Sequence, residues 1–284
     1  MLTPATVRAL LDEHGIRPKK SLGQNFLADP NTARRIAALA GVSAGDAVLE
    51  IGPGLGSLTL ALVERGAEVV AIERDPTLAR LVEEVVAAAA ADGGGEGRVD
   101  VHVGDATTVD LGALLAPHPE WCCVSNLPYN VAVPVVVRLL EDSPSVGQIL
   151  VMVQREVGER LAAGPGDSEY GAVSVKVAYY AEAEVAGAVP PTVFVPRPKV
   201  DSVLVALRRR AEPPVRVPSV PALFDLVRAG FAQRRKMLRR SLQPLLGDRA
   251  LAVLDAAGVA PTARAEVLGL EQWAALARTA AEAA

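Results

Sequence analysis

Short apolar runs alternate with amphipathic stretches along most of the chain before residue 211. Continuous apolar runs are typical of buried strands, whereas apolar positions that recur every three or four residues predict helices. The runs that predict strands are Ala47–Ile51, Glu68–Ile72, Val99–Val103, Trp121–Ser125, Ile149–Val153, Ala172–Tyr180 and Ser202–Leu207. Helices are predicted over residues 4–14, 30–40, 57–65, 76–91, 133–140 and 154–163. This alternation predicts a doubly wound α/β sheet.

The pattern changes after residue 211. Residues 211–221 are rich in proline and predict a linker, and a helical period follows to the end of the chain. We therefore predict two domains, a larger one over residues 1–211 and a small helical one over residues 212–284.

The positions of the cysteine, histidine and apolar residues argue against a metal-binding protein, a protein with a signal peptide and a membrane-spanning protein. Cys122 and Cys123 are adjacent in a predicted strand and face opposite sides of it, so they cannot share a zinc ion. The three histidines are scattered, and we expect no metal. The N-terminus lacks an apolar signal core and no apolar run is long enough to span a bilayer. We expect a cytoplasmic protein without a membrane partner.

A glycine-rich turn, Gly52-Pro53-Gly54-Leu55-Gly56, joins a predicted strand to a helix. Such a turn lets the backbone approach a nucleotide, but the third glycine arrives one residue too early for a dinucleotide fingerprint, which favours a ligand without phosphates. Glu73 ends the next strand about twenty residues later, where an acid can hold both ribose hydroxyls. Asp105 follows the third strand and could accept from an adenine amino group. The alternatives are a surface acid at the start of a helix for Glu73 and a helix or turn cap for Asp105.

The pentapeptide Asn126-Leu127-Pro128-Tyr129-Asn130 follows the fourth predicted strand. Asn126 offers a carboxamide acceptor, and Pro128 favours an extended Leu127 whose carbonyl could be a second acceptor. Tyr129 supplies an aromatic face. Two acceptors and an aromatic plane suit the exocyclic amino group of a base; the alternative is an ordinary strand-to-helix turn. Phe194, in a proline-rich loop, could lie opposite Tyr129 at the rim of the site or could be a buried anchor.

The charge is unevenly distributed. The chain has a net charge of −4, yet ten Lys or Arg residues against two acids lie between Arg208 and Arg240. On a continuous helix, Arg235 with Arg239 and Lys236 with Arg240 would form one charged face. We predict phosphate contacts there rather than a solvated face, and we expect Leu238 and Leu242 to face the domain core. The candidate residues for these contacts with a nucleic acid such as RNA are Arg234, Arg235, Lys236, Arg239 and Arg240.

These motifs, in this order, resemble one family. They are Gln24–Leu27, Glu50–Gly56, Glu73, Gly104-Asp105, Asn126–Asn130, Phe194–Lys199 and Phe231–Leu242. The chain resembles the ribosomal RNA adenine N6-dimethyltransferases of the KsgA/RsmA type over nearly its whole length. The resemblance implies a class I methyltransferase fold, with a Rossmann-like, seven-stranded, mostly parallel sheet and a small all-helical C-terminal domain. It also implies S-adenosylmethionine as the methyl donor.

The resemblance assigns roles to single residues. Gln24, Asn25 and Leu27 are expected to close over the donor, and Gly52 and Gly54 to pass beneath its methionine part. Glu73 is expected to bind the ribose and Asp105 the adenine amino group, while Asn126 contacts both the donor and the target. The expected catalytic residues are Asn126, Leu127, Tyr129 and Phe194.

The substrate that the resemblance implies is a pair of adjacent adenosines in the 3′-terminal hairpin loop of 16S rRNA, in the immature small subunit. Each adenosine would receive two methyl groups, and we expect the enzyme to be a monomer. Three alternatives remain open. These are an Erm-type enzyme acting on large-subunit rRNA, a DNA adenine methyltransferase, and an RNA-binding assembly factor without activity. Leu127 favours the KsgA type over the Erm type, which usually has Ile there.

Overall fold

A seven-stranded sheet organises the computed structural model, which describes residues 1–18, 23–93, 95–233 and 235–283. The strands are β1 Phe26–Leu27, β2 Ala47–Ile51, β3 Glu68–Glu73, β4 Arg98–Val103, β5 Trp121–Asn126, β6 Val146–Gln154, β7 Ala181–Val189, β8 Phe194–Val195 and β9 Ser202–Arg209. The sheet order is β4-β3-β2-β5-β6-β9-β7, and β1 pairs separately with β8. Pairings from β4 to β6 are parallel and β6–β9 is antiparallel. The predicted doubly wound, mostly parallel sheet is confirmed.

Helices follow the strands as the periodicity predicts. They are α1 Pro4–Glu13, α2 Pro30–Leu39, α3 Ser57–Glu64, α4 Pro76–Ala91, α5 Leu111–Leu115, α6 Ala132–Asp142, α7 Arg155–Ala162, α8 Ala172–Tyr180, α9 Val220–Phe231, α10 Leu238–Ser241, α11 Gln243–Leu246, α12 Ala250–Ala256 and α13 Leu270–Glu282. None of the helices within the described ranges has the length and apolarity needed to cross a membrane.

One predicted strand is wrong. Residues 172–180 form the helix α8. The segment that follows it, β7, is the strand at one edge of the sheet. A short run of apolar residues does not distinguish a buried strand from a buried helix by its periodicity. Val175 and Tyr179 lie one helical turn apart, both are buried, and the Tyr179 ring packs against Phe224 at a centroid distance of 5.5 Å. Tertiary packing with helices therefore decides the structure of this segment.

The chain divides into two compact units. The first comprises Met1–Gly158 and Glu184–Arg209, and contains most of the sheet. The second comprises Glu159–Ala183 and Arg210–Ala284, and its core is built from α8, α9 and the C-terminal helices around Trp273. The sequence did not indicate that residues 159–183 belong with the helical unit, and the functional division at residues 211 and 212 stays a prediction.

The connection between α9 and α10 corrects a second expectation. Residues 231–242 do not form one helix, because α9 ends at Phe231 and α10 begins at Leu238. The Leu238 N–H donates to the Ala263 carbonyl at 2.8 Å, so a loop carbonyl replaces the helical partner that a continuous helix would supply. Leu238 and Leu242 are nevertheless buried in the core of the second unit, as expected.

Candidate active site

A cavity of about 410 Å³ lies in the first unit, at the carboxyl ends of β2, β3, β4 and β5. That volume is within the usual range for a cofactor or small-molecule site. Every residue predicted for catalysis or donor binding lines it: Gln24, Asn25, Leu27, Gly52, Gly54, Glu73, Asp105, Asn126, Leu127, Tyr129 and Phe194. The structure therefore brings these residues from six separate sequence motifs into one place.

The floor of the cavity is the glycine turn after β2. Gly52 and Gly54 have φ values of 71° and 61°, which favour glycine. A Cβ at Gly54 would lie 3.0 Å from the Phe26 ring, and one at Gly52 would lie 3.4 Å from Pro128. Both glycines are needed for the backbone conformation, and Gly54 is needed also for the close approach of Phe26.

Glu73, at the end of β3, faces the glycine turn. Its Oε2 accepts from the Gly54 N–H at 3.2 Å, and its Oε1 accepts from the Asp75 N–H at 3.0 Å. The residue is only 7% exposed. Burial raises the pKa of Glu73, and the backbone N–H groups of Asp75 and Gly54 oppose that rise. The backbone N–H of Arg74 also lowers this pKa, and a carboxylate that can accept about four hydrogen bonds keeps a lone pair for a ligand hydroxyl.

Glu50 is a pocket residue to which sequence reasoning gave no role. It lies within β2, is 1% exposed, and accepts from Thr59 Oγ1 at 2.7 Å. Burial raises the pKa of Glu50 to about 8, against the opposing hydrogen bond from Thr59. A lone acid within an apolar strand that leads into a glycine turn was the signal that could have identified it.

Asp105 lies just after β4, in a tight turn. Its Oδ1 accepts from the Thr107 N–H at 2.9 Å and from Thr107 Oγ1 at 2.6 Å, and its Oδ2 lies 3.6 Å from Arg74 Nη1. The side-chain hydrogen bond from Thr107 lowers the pKa of Asp105, and Arg74 and Arg138 lower it further. Asp105 is thus an ionised acceptor whose Oδ2 receives no hydrogen bond from Thr107. Sequence reasoning did not identify Arg74 or Arg138.

The pentapeptide forms the turn that ends β5. The Leu127 N–H donates to the Met152 carbonyl at 3.1 Å, and the Val131 N–H closes the turn on the Pro128 carbonyl at 3.1 Å. Asn126 Nδ2 lies 3.5 Å from the Asn25 carbonyl oxygen, a long contact across the cavity. An amide that donates from Nδ2 keeps Oδ1 available as an acceptor.

The two predicted aromatic residues have different environments. Tyr129 is partly exposed, and its hydroxyl lies 3.5 Å from Ser202 Oγ. Phe194 pairs with Leu27 in the small β1–β8 sheet and is only 4% exposed. Phe194 therefore lines the cavity as a buried wall residue rather than as an exposed rim residue.

The basic segment lies in the second unit. Arg235 and Lys236 are in the connection after α9, whereas Arg239 and Arg240 are in α10, so the expected charged face on one helix is wrong. All four side chains are exposed, and no carboxylate within the described ranges lies within ion-pair distance of them. Arg234 lies outside the described residues, as do Lys19–Leu22.

The chain matches the description "Ribosomal RNA adenine dimethylase" over residues 15–282. It belongs to that family. The small-subunit ribosomal RNA methyltransferase A of Thermobifida fusca is 50% identical over 98% of this chain and 95% of its own length. The enzyme of the same name from Leifsonia xyli is 49% identical over 98% of both chains.

Two solved structures share the architecture of this family. The 23S rRNA methyltransferase ErmE is 30% identical, covers 90% of this chain and 99% of its own, and superimposes with a TM-score of 0.66. A dimethyladenosine transferase from Plasmodium falciparum is 24% identical, covers 88% and 95%, and gives a TM-score of 0.70, which shows a shared fold. The expected class I methyltransferase fold is confirmed, and members of this family use S-adenosylmethionine as methyl donor.

The residues of the cavity fit this donor. Glu73 offers carboxylate lone pairs for a ribose, Asp105 offers an ionised acceptor for an amino group, and the glycine turn leaves space between them. Among the described residues, no group of His, Cys, Asp and Glu side chains could hold a metal ion.

Replacement of Glu73 by Ala is expected to weaken S-adenosylmethionine binding by roughly 1.5–3 kcal/mol, the range for hydrogen bonds to a charged group. Calorimetry measures this directly. Glu83→Ala, on the exposed face of α4, is the control and should bind as the wild type does. Wild-type affinity in Glu73→Ala would exclude Glu73 from ribose binding.

Proposed function

We propose that the chain dimethylates the N6 amino groups of two adjacent adenosines in the 3′-terminal hairpin loop of 16S rRNA. The observation that carries the proposal is that the donor-side acids, Glu73 and Asp105, and the Asn126–Asn130 turn line one cavity. The choice of small-subunit rRNA rests on the relatives named small-subunit methyltransferase A, which are 49–50% identical, against 30% for ErmE, named as a 23S rRNA enzyme.

The chemistry requires mainly positioning. S-adenosylmethionine supplies an already electrophilic methyl group on a sulfonium. The target amino nitrogen is a poor nucleophile because its lone pair is delocalised into the adenine ring. Asn126 Oδ1 and the Leu127 carbonyl accept its two hydrogens, which favours a pyramidal nitrogen and directs its lone pair. The same acceptors stabilise the positive charge that develops on nitrogen before a proton leaves to solvent.

The target base must leave its stack to reach these acceptors. Tyr129 and Phe194 provide aromatic faces on the cavity wall for an extruded adenine. Phe194 is held by the β1–β8 pairing, and the Tyr129 hydroxyl lies near Ser202, so neither ring is a freely rotating surface residue. Gln24, Asn25 and Leu27 cover the donor in this proposal.

The substrate form and the cellular setting are part of the same proposal. The enzyme acts as a monomer in the cytoplasm on the immature small subunit, which its basic segment contacts through phosphates. Incubation of the protein with labelled S-adenosylmethionine and separate immature ribosomal subunits tests it. Label in 16S rRNA is expected. Label only in 23S rRNA would favour an Erm-type activity, and no label would favour an assembly factor without catalysis.

Replacing both Arg235 and Arg239 by Ala should weaken RNA binding and flatten its dependence on salt. Loss of two phosphate contacts changes the slope of log K against log salt by about 1.4–1.8. Both residues are exposed, so their replacement should not disturb the core of the second unit. Arg8→Ala with Arg80→Ala, two exposed arginines of the first unit, is the matched control. An equal slope of log K against log salt in both double variants would mean that the basic segment does not contact the RNA.

A further inference from the structure

Arg138 is an arginine of α6 whose guanidinium binds the turn that carries Asp105. Its Nη1 donates to the Ala106 carbonyl at 2.7 Å, and its Nη2 donates to the Val109 carbonyl. Its Nε lies 3.6 Å from Asp142 Oδ2, one helical turn further along α6. The side chain is 20% exposed. The planar guanidinium thus spans both ends of one short turn, which a lysine could not do.

The position of the Asp105 carboxylate depends on this turn. The N–H groups of Thr108 and Val109 both donate to the Asp105 carbonyl at 2.9 Å. Thr107 donates twice to Asp105 Oδ1, so the turn itself leaves Oδ2 as the acceptor for a ligand, with Arg74 Nη1 3.6 Å from it. The hydrogen bonds that fix Asp105 from within its own turn therefore belong to the segment that Arg138 holds through its carbonyl oxygens, and Arg74 adds a longer ion pair from outside that segment.

The same arginine connects this turn to the opposite side of the cavity. The helix α6 starts directly after the pentapeptide, and Val131, which precedes its first residue, closes the pentapeptide turn by donating to the Pro128 carbonyl. Val135, one turn before Arg138 on the helix, lines the cavity. A shift of the Asp105 turn relative to α6 would alter the distance between the two sides of the cavity.

We propose that Arg138 is a positioning residue that determines which purine base the donor site accepts. It holds Asp105 Oδ2 where it accepts a hydrogen from a 6-amino group. This inference rests on the proposed role of Asp105. A purine with an oxygen in place of that amino group, as in inosine, presents a second acceptor to the carboxylate and gains nothing from the contact.

The experiment compares binding of S-adenosylhomocysteine and S-inosylhomocysteine to the full chain by calorimetry. The wild type should prefer the adenosyl ligand. Arg138→Met keeps the aliphatic stem but loses the guanidinium, and should weaken the adenosyl ligand about tenfold, with the inosyl ligand changed less than about twofold. Arg138→Lys can reach one carbonyl at a time and should give an intermediate loss of about threefold.

A matched control comes from the other end of α6. Arg209 donates to four main-chain carbonyls there, those of Leu139, Leu140, Ser143 and Val146. Arg209→Met removes the same kind of interaction from the same region without touching the Asp105 turn. It should change the affinities for the two ligands by the same factor, whatever its effect on melting temperature.

The outcomes separate this inference from the proposed function. Equal losses for both ligands in Arg138→Met and Arg138→Lys would mean a general structural role and would overturn the inference. If Asp105→Ala abolishes the preference for adenosine while both Arg138 variants retain it, the inference alone is wrong. If Asp105→Ala keeps the full preference, the proposed role of Asp105 fails and this inference fails with it.

Discussion

Asn126→Ala is expected to lose methyl transfer by a factor on the order of 10²–10³, the usual loss when one preorganised group at a developing charge is removed. The variant should fold, because Asn126 is partly exposed at the cavity and its side chain makes a long hydrogen bond, 3.5 Å, to the Asn25 carbonyl. It should also keep RNA binding, since phosphate contacts supply most of the affinity. Single-turnover methylation at saturating donor and RNA measures the chemical step alone.

Asn126→Asp distinguishes two roles of the amide. A carboxylate keeps an acceptor for the target amino group but removes the Nδ2 donor that faces the Asn25 carbonyl. If acceptance dominates, Asp should retain far more activity than Ala. If orientation through Nδ2 dominates, both variants should be equally poor. Asn31→Ala, on the exposed start of α2, is the control, and wild-type activity in Asn126→Ala would contradict the proposed mechanism.

The free energy of unfolding of the first unit is expected to fall as pH rises from about 5 to about 8, because of Glu50. Its pKa is about 8 in the folded chain, against an ordinary value of 4.5, so between these values the folded state binds more protons than the unfolded state. The stabilisation is full below the ordinary value and is lost as pH approaches 8. Each unit of pKa difference corresponds to about 1.4 kcal/mol, so the difference between 4.5 and about 8 gives a total on the order of 5 kcal/mol. Glu73, whose pKa is also raised, adds a slope of the same sign.

Glu50→Gln should remove most of this slope, since the amide stays neutral at every pH. Urea unfolding at pH 5 to 8 measures this slope. The two units need separate probes, because a chain with two compact units need not unfold in one transition. Trp121 lies in the first unit and Trp273 in the second, so Trp121 fluorescence in a Trp273→Phe background follows the first unit alone. The exposed control Glu83→Gln should keep the wild-type slope. A slope that persists in Glu50→Gln would mean that other groups cause it.

The sheet could be predicted where the sequence pattern had one interpretation. Ala47–Ile51 and Trp121–Asn126 are apolar runs bounded by a glycine turn or a polar turn, and both are strands. The strand predicted over residues 172–180 is wrong because a helix and a strand can bury such an apolar run equally well. The aromatic partners of α8 decide between the two structures. The continuous helix predicted over residues 231–242 is wrong because the carbonyl of residue 263, in a loop, caps the start of α10. No local sequence pattern indicates a partner so distant in sequence.

The pocket could be predicted wherever chemistry follows the end of a strand. Glu73, Asp105 and Asn126 all lie at such positions, and parallel strands bring their carboxyl ends to one edge of the sheet. Arg138 could not be found in this way, since it lies in the second half of a helix and acts on main-chain carbonyls. Phe194 was found, but its burial depends on pairing with Leu27, which the sequence does not indicate.

The packing of α8 into the second unit has a consequence for the order in which the chain can fold during synthesis. Val175 and Tyr179 leave the ribosome well before the helices that cover them, of which the last contains Trp273. Because synthesis adds ~5–20 residues per second, the apolar face of α8 stays uncovered for several seconds. The sheet is also interrupted at this point, because β7 and β9 follow α8 in sequence. A chain that stops at residue 211 would complete the sheet but would retain this uncovered face, so we expect it to aggregate rather than to yield an independent catalytic domain.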